Sequence, residues 1–157
     1  MSFRMMTTLV VLLAAIAAQA TAGTFFRLEV GPPVAAGTDA KIKKAVLVVR
    51  PRLCDDEASV RITGTAEGIV NGMRQSVSLN LVTLPTPGVH AVQRQWPDDG
   101  QWVLHLNGRC PATGATSSTI VPLTKAGFDR AKTRVLPQTA TRADVDAVLS
   151  ELTRTHS

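Results

Sequence analysis

Three imidazoles are the most adaptable reactive groups in this chain: His90, His105 and His156. If the segments around Asp98 and Asp99 fold back symmetrically, His90 sits near Asn107 and His105 near Val92, so the first two rings share one sheet face. Two imidazoles on one face begin a copper or zinc site, which needs further ligands. Met73 and His156 have suitable chemistry but no spacing that ties them to the pair. The simpler reading of the same histidines is as polar surface residues.

Cys54 and Cys110 are the only cysteines. They lie too far apart for a Cys-x-x-Cys redox pair, and in an exported chain an even pair reads as a structural disulfide. Acidic residues gather at Asp55-Asp56-Glu57 and Asp98-Asp99, but neither run has the alternating oxygen ligands of a calcium loop. Ser117 and Ser118 lack the Gly-x-Ser-x-Gly setting of an activated nucleophile. Gly64-Thr65-Ala66-Glu67-Gly68 lacks the lysine of a phosphate loop. These residues name no catalytic apparatus, which points to a non-enzymatic protein without a cofactor.

The first residues bear on where such chemistry would operate. Arg4 precedes ten consecutive apolar residues, Leu9 to Ala18, and small-x-small triplets follow at Ala18-Gln19-Ala20 and Ala20-Thr21-Ala22. That order is expected of a cleaved signal peptide over residues 1–22, with cleavage after Ala20 or Ala22. Ten helical residues rise about 15 Å, half of a hydrocarbon core of roughly 30 Å, so no stable span is expected after cleavage. The expected location is the periplasm or the extracellular space. Cleavage would take Arg4 and no acidic residue, lowering the formal charge from +5 to +4. With no dense basic tract, nucleic acid is not an expected partner.

The elements that must position these groups are mostly extended. Strand patterns run over Thr24–Val30, Lys41–Arg50 with Pro51 as its stop, and Ser59–Thr65, where Gly64 and Gly68 weaken the middle of any longer strand. Asn71-Gly72 is a strong turn signal. Arg74–Leu84 alternates until Val82 breaks the phase, as a bulge near Leu81 would do. Val89–Trp96 and Gln101–Asn107 read as a hairpin, with Trp96 and Trp102 either in the core or forming a carbohydrate platform. Thr116–Leu123 is a further strand.

Residues 127–137 fit a strand or a helix, and as a strand they form a basic face of Arg130, Lys132 and Arg134. Thr141 and Asp144 resemble a capping box. It opens an amphipathic helix over Arg142–Arg154, with Val145, Val148, Leu149 and Leu152 on one side. The expected fold is mainly β: a β-sandwich of about seven short strands with a C-terminal amphipathic helix. The sandwich covers residues 23–137, and the helix and tail cover 138–157.

Thr86-Pro87-Gly88-Val89-His90-Ala91-Val92, followed by Asp99-Gly100-Gln101-Trp102-Val103-Leu104-His105-Leu106, resembles the final hairpin of YtkA-like or FixH-like periplasmic modules. The resemblance implies an immunoglobulin-like β-sandwich, sometimes associated with copper handling or oxidase assembly. It carries over no metal-ligand set, because this chain has neither a His-rich nor a Met-rich segment. The leading expectation is an exported accessory domain that binds an envelope protein or component, with Arg130, Lys132 and Arg134 as its contact surface. A copper or zinc chaperone using His90 and His105 is the alternative, and a small secreted hydrolase is the third reading.

Overall fold

Alternating side chains in the longer strands sort onto two faces, and their apolar sides meet between two antiparallel sheets. The computed structural model describes residues 24–33 and 40–155; the expected signal segment and His156 lie outside them. The first sheet contains β1 (Arg27–Gly31), β2 (Ala45–Arg52), β6 (His90–Gln93) and β5 (Val82–Thr83), in that spatial order. The second runs β10 (Arg134–Leu136), β8 (Thr116–Thr124), β7 (Gln101–Arg109), β3 (Arg61–Val70) and β4 (Met73–Ser78). The short β9 (Gly127–Phe128) also pairs with β8. Among the described residues there are also two α-helices, α1 (Ala40–Lys43) and α2 (Arg142–Thr155), and a 3-10 turn at Glu57–Ser59.

The central core gathers Leu47, Val49 and Val92 from the first sheet against Ala66, Trp102, Leu104, Leu106 and Val121 from the second. The opposite parity of the second sheet is also used. Val103 and Ile120 pack beneath Val145, Val148, Leu149 and Leu152 of α2. The second sheet is therefore covered on both faces around Val103 and Ile120, and the β-sandwich with a docked C-terminal helix matches the expected class. Thr141 and Asp144 close the helix start as a capping box. The Asp144 amide donates to Thr141 Oγ1 at 3.2 Å, and the Thr141 amide donates to Asp144 Oδ2 at 2.7 Å.

Cys54 and Cys110 are bonded, with Cα atoms 5.8 Å apart. One follows β2 and the other ends β7, so the bond ties the first sheet to the second. A buried hydroxyl adds a second tie, as Thr119 Oγ1 donates to the Leu28 carbonyl at 2.8 Å. Trp96 and Trp102 are 4% and 3% exposed, which makes them core residues and removes the carbohydrate platform.

Several local expectations are corrected. The segments before and after Asp98-Asp99 do not form a hairpin: β6 pairs with β2 and β5, while β7 pairs with β3 and β8. The turn carries the chain between sheets. The phase break near Val82 is another crossing, since β4 ends at Ser78 in the second sheet and β5 begins in the first. Lys41 and Ile42 belong to α1, and β2 runs through Pro51 to Arg52. Pairing with β6 ends at Val49, so no ladder bond is asked of Pro51 on that side.

The strand β3 also passes straight through Gly64 and Gly68. A Cβ at Gly68 would lie 2.4 Å from the Trp102 ring, so the glycine makes room for the indole of the neighbouring strand. The Asn71-Gly72 turn forms as expected, both residues having positive φ, with Val70 paired to Met73.

Candidate binding groove

The helix α2 covers only part of the second sheet's outer face. On the uncovered side, β3 presents Thr63, Thr65 and Glu67, β4 presents Ser76 and Ser78, and β7 presents His105 and Asn107. Neighbouring registers place Thr65 opposite both Ser78 and His105, and Glu67 opposite Ser76. Alternation explains the composition: the other parity of these strands is spent on the core, leaving hydroxyls, an amide, a carboxylate and an imidazole outside.

Beside the first turn of α2 this face deepens into a groove of about 520 Å³ lined by Glu67, Arg74, Ser76, His105, Arg142 and Val145 among others. A broader depression of about 810 Å³ continues along Thr63, Thr65, Ser78 and Asn107 toward His90. Glu67 and His105 border both.

The groove walls are braced by ion pairs and hydrogen bonds. Glu67 Oε1 accepts from Ser76 Oγ at 2.7 Å, and Oε2 accepts from Arg74 Nη2 at 3.2 Å. Arg74 also pairs with Asp146 of α2, which Arg142 approaches at 3.8 Å. These contacts join β3, β4 and the helix across the groove floor. A second relay runs beneath β7: the Ala140 amide donates to Ser118 Oγ at 2.7 Å, and Ser118 Oγ donates to Asn107 Oδ1 at 2.5 Å.

His105 stands between these two networks. Its Nε2 is buried and has no hydrogen-bond partner within the protein. Burial pushes the ring's pKa below its ordinary 6.5, opposed by hydrogen bonding with Asn107 and by the carboxylates of Glu67 and Asp144. A neutral imidazole at pH near 7 follows, with one ring nitrogen free to give or accept a hydrogen bond.

The two histidines singled out by sequence occupy different sheets. His90 lies on β6 with the parity of Val92, toward the sandwich interior, 3.4 Å from Thr83 Oγ1, and burial lowers its pKa as well. His105 faces outward on β7. Asn107, the expected neighbour of His90, pairs with Thr63 and Ser118 instead. Both residues border one open depression. Among the described residues, no group of three or more His, Cys, Asp or Glu side chains is placed to hold a metal ion. Met73 is 64% exposed at the start of β4.

The expected basic face does not form. Asp129 turns the chain between β9 and β10, accepting the Lys132 amide at its Oδ1 and the Thr133 hydroxyl at its carbonyl. Lys132 reaches back to Asp129, Arg134 pairs with Glu151 of α2, and Arg130 borders a separate depression beside Glu29 and Arg50. The three cations point to three different settings.

Glu67, Arg74, Ser76 and Arg142 were not singled out by the sequence reading. Thr63-Thr65-Glu67 was the available signal, a polar row alternating with glycine and alanine. Comparison with family models, with curated proteins and with solved structures finds no match.

Proposed function

We propose that the chain is an exported, non-enzymatic accessory domain whose groove binds a polar segment of another envelope protein. The observation that carries this reading is the open polar half of the second sheet, bordered by Glu67, Ser76, His105 and Asn107. A polar segment supplies the donors and acceptors such a surface can satisfy. Sugar recognition would draw on exposed aromatic rings, and both tryptophans are in the core. The signal-like first residues and the sheet-to-sheet disulfide support export into an oxidising compartment. Among the described residues no helix is long and apolar enough to cross a membrane.

Site-directed photo-crosslinking tests the proposal. A crosslinking side chain at Thr63, which lines the open depression, should give a defined adduct in an envelope fraction, and one at Asp55 near the disulfide should not. His105→Phe should suppress the Thr63 adduct. Equal labelling at both positions, or a Thr63 adduct indifferent to His105, counts against the groove. Recovery of the protein in the cytoplasmic fraction counts against export.

A further inference from the structure

An exposed sheet edge is a template for another strand, and folded proteins normally blunt theirs. Three edges here are blunted. The strand β5 has two residues and β10 has three, and the Leu28 carbonyl of β1 is engaged by the Thr119 hydroxyl. The six-residue β4 is different. It contains no proline, and its pairing with β3 has no register shift. Its one charge, Arg74, is drawn to Glu67 and Asp146.

The orientation of its backbone follows from the turn. A two-residue turn makes Val70 and Met73 a mutually bonded pair, so alternate residues Met73, Gln75 and Val77 bond toward β3. The Leu79 amide continues this parity by donating to the Gly64 carbonyl at 3.0 Å. Arg74, Ser76 and Ser78 therefore point their amides and carbonyls away from the sheet.

We infer that β4 is the seam of a two-fold dimer, in which β4 of a second copy adds antiparallel with Ser76 opposite Ser76. This register uses all three outward residues, because Arg74 then faces Ser78 of the other copy and Ser78 faces Arg74. It opposes no like charges. Met73, one of three exposed large apolar side chains among the described residues, meets Leu79 of the second copy, and Gln75 meets Val77. Centring the pair on Arg74 would set two guanidinium groups face to face, which disfavours that register. The two-fold axis stands perpendicular to the sheet, so the two grooves lie side by side on one surface. The inference does not depend on what the groove binds.

Sedimentation velocity of the purified oxidised protein, from micromolar to millimolar concentration, tests it. A species of twice the monomer mass is expected. Ser78→Pro removes an outward amide without touching the β3 ladder and should leave a monomer of unchanged melting temperature. Ser78→Lys should weaken association roughly tenfold, since the symmetry repeats its clash with Arg74 twice. Ser78→Asp should strengthen it through the same two pairs. A protein that stays monomeric throughout, including one that pairs β4 only with a foreign strand, overturns the inference. So does a dimer indifferent to all three substitutions, or one that the Lys and Asp variants shift alike.

Discussion

Removing one hydroxyl at Ser118 should loosen the join between the second sheet and α2. Ser118 is fully buried, accepts the Ala140 amide and donates to Asn107 Oδ1. Alanine at this position leaves the Ala140 amide without a partner, at a cost of about 1–3 kcal/mol, and forfeits the second bond for about 1 kcal/mol more. The total of about 2–4 kcal/mol is a large fraction of a domain's usual stability of roughly 5–15 kcal/mol. It corresponds to a melting point lower by about 10 °C.

Urea titration followed by the fluorescence of Trp96 and Trp102 is the assay, because both indoles leave the core on unfolding. The midpoint should fall while the denaturant slope stays constant. Hydrogen exchange adds a local readout, as the Ala140 amide should lose protection beyond the change expected from global stability. A double cycle with Asn107→Ala should show coupling, since the two side chains share one bond. A loss below about 0.5 kcal/mol with Ala140 still protected would refute the reasoning.

Three further outcomes are expected. Replacing Cys54 and Cys110 together by alanine should cost about 4 kcal/mol, given their separation of 56 positions, and calorimetry of the two forms measures it. Gly68→Ala should cost about 1–3 kcal/mol by driving a methyl into the Trp102 ring, visible as a lower urea midpoint and a shifted indole emission. His90 and His105 have depressed pKa values, so the folded state binds fewer protons than the unfolded one just below pH 6.5. Their contribution is fully present above 6.5 and is lost as pH falls through the folded values. The double His90→Gln, His105→Gln variant should flatten that limb of the stability profile, and Glu67→Gln should lower the His105 midpoint seen by NMR.

Sequence pattern read the elements well wherever the deciding chemistry was local. Thr141 and Asp144 announced the helix start, and the spacing of Val145, Val148, Leu149 and Leu152 announced the face that docks. Asn71-Gly72 announced its turn. Crossings between sheets were misread, because a turn such as Pro97-Asp98-Asp99-Gly100 has the same composition whether it returns to one sheet or leaves for another. The phase break near Val82 posed the same problem. Asp129 undid the basic face by a side-chain turn that alternation alone does not reveal.

The site was legible in one member. His105 was named, but Glu67, Arg74, Ser76 and Arg142 reach it from three other elements, and no spacing along the chain joins them. The pairing of β3 with both β4 and β7 brings the strand residues to one face, and the docking of α2 adds Arg142.

The crossings also determine what a broken chain would be. A cut at the exposed Asn71-Gly72 turn separates β1–β3 from everything later, yet each piece retains strands of both sheets. The strand β3 stays clasped between β4 and β7, and β2 stays beside β6. Cys54 is on the first fragment and Cys110 on the second, so the nicked protein remains one covalent molecule until it is reduced. Proteolysis there would leave its mass under oxidising conditions almost unchanged, and reducing agent would expose the cut as two fragments.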